Sequence, residues 1–242
     1  MAEIVAGSGA LTRFLAFVLL FVACAITTVY AGLNGKNGTL SVAIWRYVVV
    51  AMGAGMAYSV AGGYELLGAT APDAAIVTGI RQVLGLFFII LLSLSMRELY
   101  YRLPYRQADE TLLSHGRARL LEATFMGVVF VEFAIVIAIG LTAIVQAIQS
   151  IASVAFAGYG ISFAAGTRAA SMAGGTVIDS LLVRFIAVLT CLGAAGLLEG
   201  GTLVGVPAEL AASATTVFIV MAATFLIALA IRLKANVETM NP

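Results

Sequence analysis

Seven apolar runs, each close to the roughly 20 residues a helix needs to cross a hydrocarbon core, account for nearly the whole chain. They lie at about 12–33, 41–67, 76–97, 120–140, 142–165, 176–198 and 208–233. Backbone in lipid has no water to bond to and must satisfy its own N–H and C=O groups. An apolar run of this length does so as a helix. The expectation is an all-α fold, one seven-helix transmembrane bundle forming a single domain over residues 1–242. Composition excludes a soluble domain: 62% of the residues are hydrophobic and 10% charged, whereas a water-facing surface takes about 25% charged residues. A net charge of +1 offers nothing to draw nucleic acid, so the lipid bilayer is the partner this composition demands.

Two boundaries need argument. The run from Phe14 to Tyr30 has something of a secretory leader. It is nevertheless of spanning length, Arg13 alone flanks it as a positive charge, and the small Ala23-Cys24-Ala25 triplet falls in mid-run; it is read as a retained first helix. The stretch from Ala123 to Ala165 is too long for one span, and Gly140-Leu141-Thr142 is the place for a tight turn.

The longest connection, Arg97 to Arg119, holds Arg97, Arg102, Arg106, Arg117 and Arg119 with Tyr100, Tyr101 and Tyr105, and reads as a basic, aromatic interfacial segment. Lys36, Arg168, Arg232 and Lys234 fall on the same side, and Asp73, Glu199 and Glu209 on the other. The positive-inside rule then puts the N-terminus outside and the C-terminus in the cytoplasm, for a multi-pass protein of the plasma membrane. The polar tail from Ala235 to Pro242 is expected to be disordered.

Residues that could carry chemistry are few. Cys24 and Cys191 sit inside apolar runs and read as small buried hydrophobes. His115 is the single histidine, so no multi-histidine metal site is expected. No nucleophile–base pair or phosphate loop stands out, and the expectation is a protein that is not an enzyme. Gly53, Gly55, Gly62 and Gly63 in the second helix, and Gly193 and Gly196 in the sixth, form small-residue faces, for close packing within the bundle or for a partner helix. Glu132 falls near the middle of the fourth helix. An ionised carboxylate there is costly, so it is neutral or paired, and serves either function or an interhelical hydrogen bond.

Several segments together match one pattern. The third helix opens Arg81-Gln82-Val83-Leu84-Gly85-Leu86-Phe87; the second carries Tyr58 and Tyr64-Glu65-Leu66-Leu67-Gly68; Ser171-Met172 lies between the fifth and sixth; Glu199-Gly200-Gly201, Val206-Pro207 and Glu209 join the sixth to the seventh. In order and spacing the chain resembles the microbial (type 1) rhodopsins, over most of its length. The resemblance implies that Arg81, Glu199 and Glu209 lie where a proton pump has its outer proton path. The alternative for Arg81 is a side chain that snorkels outward and pairs with Glu199 or Glu209. For Glu199 and Glu209 it is ordinary loop and helix-start acids, Glu209 complementing a helix dipole behind Pro207.

The departures from that family are as informative. A retinal pigment needs a lysine in the seventh helix, and the only lysines are Lys36 and Lys234. Counting back from Arg232 puts the missing amine at Ala223; counting forward from Glu209 puts it at Met221. The helix-three counterion aligns with Leu84, the proton donor with Ser95, and a second counterion with Val217 or Ile219. Gly85, Ala187, Thr190 and Ala194 stand near the aromatic positions of a retinal pocket, and the single tryptophan, Trp45, is at a helix end. A carboxylate without its partner is expensive at mid-membrane, so the losses agree with one another.

The expectation is a rhodopsin-like membrane protein with no covalent cofactor. It would work as a sensory or regulatory module by contact with another membrane protein or a second copy. The alternative is a binder or transporter of a lipophile (carotenoid, quinone or non-covalent retinal) in a cavity left by the missing aromatics. A light-driven pump or channel ranks last.

Overall fold

The computed structural model describes residues 8–37, 42–68, 74–102, 112–170 and 177–240. Ser171-Met172, Asp73, Tyr105 and Arg106 lie outside them. The described residues contain seven α-helices, α1 (Ser8–Asn37), α2 (Val42–Gly68), α3 (Ala74–Arg102), α4 (His115–Ile139), α5 (Ala143–Ala170), α6 (Val177–Gly201) and α7 (Ala208–Met240). All seven are long and apolar enough to cross a membrane. The chain is a multi-pass membrane protein.

Prolines mark where helices stop. Pro72, Pro104 and Pro207 stand one or two residues outside α3 and α7, where a missing N–H costs no helical bond. A 3-10 turn (Thr202–Val204) closes on Gly205, and Pro207 then accepts the first bond of α7 from Ala211 N–H at 3.0 Å. The turn expected at 140–142 is present. Gly140 adopts φ +77°, open to glycine at little cost. Leu141 N–H donates to Ala75 O at 3.3 Å, seating the α4–α5 turn on the start of α3.

Helices α1, α2, α3, α5, α6 and α7 form a closed ring, each packed on the next and α7 back on α1, with α3 also touching α6 across the centre. Helix α4 stands outside this ring against α3: 17% of its spanning window is buried, against 39–50% in the other six. The remainder presents Leu120, Phe130, Val131, Ile137 and Ile139 outward, as a lipid-facing surface does.

Side-chain bonds pin the ring at several depths. Thr27 Oγ1 donates to Leu226 O at 3.3 Å, Asn34 Nδ2 to Leu233 O at 3.0 Å, and Ser93 Oγ to Phe156 O at 2.8 Å. Small residues let α5 and α6 approach closely. A Cβ on Gly193 would come within 2.7 Å of Ala157 Cβ, and one on Gly196 within 2.5 Å of Ser153 Cβ.

Two expectations are corrected. The segment 97–119 is not one long interfacial loop, because α3 stays helical through Arg102 and α4 already begins at His115. Buried contacts hold that extra turn. Tyr100 is fully buried, its ring 4.8 Å from that of Phe163, and Tyr101 Oη donates to Leu113 O at 2.7 Å. Residues 235–240 of the tail are likewise helical, for α7 continues to Met240. Asn236 Nδ2 donates to Asn34 Oδ1 at 2.6 Å, and Lys234 pairs with Glu238 one turn on at 3.7 Å. At about 1.5 Å per residue such a helix outruns a hydrocarbon core of about 30 Å, and α1 gives its last turns a neighbour.

Candidate functional site

Helix α3 carries two buried arginines, Arg81 and Arg97, about 24 Å apart along its axis at the helical rise. Each gathers a polar cluster at one end of the bundle. A guanidinium with five fixed donors suits this role, since one side chain can bridge carboxylates from different helices.

At the end where α2 and α6 finish, Arg81 Nε donates to Glu65 Oε2 at 2.5 Å and its Nη1 to Glu199 Oε1. Thr78 Oγ1 donates to Glu65 Oε1 at 2.8 Å, and the Tyr58 ring centroid lies 6.0 Å from Arg81 Cζ, within cation–π range. Gln146 Nε2 on α5 reaches Glu199 O at 2.6 Å. One arginine thus joins α2, α3 and α6, with α5 docked beside it.

The arrangement differs from the sequence expectation in two respects. Arg81 is buried rather than snorkelling outward, because two helix ends, those of α2 and α6, bring carboxylates to it. Its partners are Glu199 and Glu65. Glu209 is exposed in the first turn of α7, so the structure does not bring Glu199 and Glu209 into one pair. Glu65 was legible only as a neighbour of Tyr64; an acid one turn from the end of an apolar helix was the available signal.

At the opposite end, Arg97 Nε lies 3.2 Å from Glu122 Oε1 of α4, an ion pair without hydrogen-bond alignment. Tyr159 Oη of α5 donates to the same oxygen at 2.7 Å. Glu98 pairs with Arg102 and approaches Arg97 at 3.8 Å. This cluster, together with the Phe125–Phe156 ring pair at 3.8 Å, fastens α4 to α3 and α5. Sequence reasoning missed it because Arg97 was read as the last residue of the third helix, opening a basic interfacial connection.

Between the clusters, Glu132 is 3% exposed and neither carboxyl oxygen has a partner among the described residues. The positions aligned with a retinal pocket scatter. Ala223 is 0% exposed, whereas Met221 is 40% exposed, so the count from Arg232 finds the inward face of α7. Thr190 faces outward, and Leu84, Ala187 and Ala194 are partly buried. Gly85 does face inward, but the Tyr58 ring occupies its neighbourhood, with Cε2 3.1 Å from where a Cβ would stand. The cavity beside it measures about 20 Å³, room for one water-sized species. The wide apolar chamber expected from the missing aromatics has not formed there, since the helices closed in.

No group of three metal-ligating side chains occurs among the described residues. The fold and these clusters define a helical multi-pass membrane protein whose buried charges tie helices together. Compared with protein-family models, curated proteins and solved structures, the chain has no match.

Proposed function

We propose that the chain is a rhodopsin-like seven-helix module that binds no retinal covalently, is not an enzyme, and works as a sensory or regulatory unit by contact with another membrane protein. The small space beside Gly85 carries this reading. Ala223, which the count from Arg232 sets against a pigment's lysine, is 0% exposed. The space beside Gly85 is about 20 Å³, against the roughly 300–1,000 Å³ of small-molecule sites. With no amine at position 223 and no wide chamber beside Gly85, this reading places the action at the surface. The orientation proposed is N-terminus outside and C-terminus in the cytoplasm of a plasma-membrane protein.

Purification from native membrane in mild detergent tests the proposal. A stoichiometric membrane-protein companion or a stable homo-oligomer is expected, and recovery as a lone monomer after crosslinking in the membrane argues against it. The rhodopsin register is tested separately. The unmodified chain with all-trans retinal and borohydride should trap no adduct. Ala223→Lys with Leu84→Asp should yield some red-shifted pigment, and Met221→Lys none. Colour from Met221→Lys alone would refute the register.

One observation favours a second reading. A groove of about 320 Å³ runs between α1 and α2, lined by Phe14, Phe17, Phe21, Val60, Tyr64 and Leu67. A lipophile entering from the bilayer would lie there. A stoichiometric non-lipid compound in a solvent extract of the protein would support this reading.

A further inference from the structure

The Arg81 cluster does not balance its charge. Two carboxylates, Glu65 and Glu199, share one guanidinium, and among the described residues no second cation pairs with either. Glu199 Oε1 takes Arg81, while Oε2 accepts no bond among the described residues. The excess of one negative charge sits where Arg81 itself is buried, and an uncompensated charge in such a place is expensive.

Glu199 also lines the 20 Å³ cavity, with Tyr58, Gln82, Gln149, Ser150 and Ser153. Two of these side chains are buried and unsatisfied. Gln149 is 4% exposed and neither its Oε1 nor its Nε2 has a partner; Gln82 is 9% exposed and its Oε1 has none. An unpartnered buried amide oxygen costs about 1–3 kcal/mol, so the two Oε1 atoms of Gln82 and Gln149 lining one small cavity point to an occupant. Ser153 Oγ donates its hydrogen to Gln149 O at 2.8 Å, which leaves its lone pairs for another partner. The lining therefore offers carboxylate, amide and hydroxyl oxygens, the donor set of a hard cation.

We propose that this cavity between α3, α5 and α6 binds a single monovalent cation of sodium's size, held by Glu199, Gln82, Gln149 and the Ser150 and Ser153 hydroxyls. One positive charge neutralises the cluster, whereas a divalent ion would leave it charged with the opposite sign. The volume suits a water-sized ion better than potassium, whose oxygen shell is wider. Glu199 keeps 15% of its side-chain surface exposed and gives the ion a way in from the bundle end. The site is independent of what the protein contacts, so the co-purification result does not bear on it.

The test is thermal unfolding of the purified full chain at constant ionic strength, with sodium chloride replacing N-methylglucamine chloride. The expected result is a saturable rise in Tm, about 3–6 °C at roughly tenfold excess over the dissociation constant. Potassium chloride should give a smaller rise, and 23Na resonances should broaden in the presence of protein. Gln149→Leu should abolish the sodium response while its Tm in N-methylglucamine chloride stays level or rises, because an orphaned amide is gone. Should that variant not fold, Ser153→Ala should weaken the apparent sodium affinity several-fold. Equal Tm in all three salts overturns the proposal and leaves a water in the cavity, as does a sodium response unchanged in both variants.

Discussion

Glu132 shows how far a single residue's role depends on what faces it. Its place near the middle of an apolar helix was evident in the sequence, and a hydrogen bond to a neighbouring helix was the conservative reading. The carboxyl is buried between α4 and the bundle, with no partner among the described residues. Replacing an unsatisfied buried polar group by an apolar one of similar shape is neutral or stabilising. Glu132→Leu is therefore expected to leave unfolding stability unchanged or raise it by about 1 kcal/mol, and Glu132→Gln to leave it nearly unchanged. Chemical denaturation in a fixed detergent would measure both. A loss of about 1–2 kcal/mol in the leucine variant, the range of an interhelical bond in membranes, would show that the carboxyl has a partner after all. Arg81 gives the complementary lesson. Its burial follows from Glu65 and Glu199 arriving from two other helices, a convergence that no window of sequence contains.

For whole elements, the α5–α6 contact depends on atoms that are absent. The Cβ of an alanine at position 193 would meet Ala157 Cβ at 2.7 Å. That atom is fixed to the backbone of α5 and cannot rotate away. Gly193→Ala must push the helices apart and should cost about 1–3 kcal/mol, as overpacking does. Gly127 on α4 has nothing within 4 Å of such a Cβ, so Gly127→Ala should be neutral or gain about 0.5–1 kcal/mol of helix preference. Thermal unfolding of the two variants side by side is the measurement. An equal effect would mean that α5 and α6 are not in close contact. The glycine faces were visible in the sequence, but periodicity could not say whether they served internal packing or an outside partner. For Gly193 and Gly196 the facing residues are Ala157 and Ser153 of the same chain.

At the level of the whole molecule, odd and even helices run in opposite directions. The end of α1 lies beside the end of α7, where Asn34 meets Asn236, and the end of α6 beside the start of α3, where Glu199 meets Arg81. Among the described residues only Arg13 and Arg81 bring positive charge to the end where α1 begins, and the proposal of an outside N-terminus rests on that asymmetry. Single cysteines replacing Gly9 and Glu238, both exposed, should react with an impermeant maleimide from opposite faces of sealed cells and inverted vesicles. Cys24 and Cys191 are buried and should stay silent. Labelling of both probes from one face would rule out an odd number of crossings.

The sequence by itself determined the number of helices, their approximate limits and the turn at Gly140. These rest on local quantities: the length of an apolar run, the demand of lipid for satisfied backbone groups, and the conformations open to glycine and proline. It also showed that no lysine lies within an apolar run. Only the tertiary structure decided that Ala223 faces inward and Met221 outward, that Glu65 shares Arg81, that α4 stands outside the ring, and that the space beside Gly85 is small. Each of those depends on how helices distant in sequence rotate and approach one another. Steric fit and pairing of charge across the bundle settle that, and both are sums over contacts that do not exist until the chain has folded.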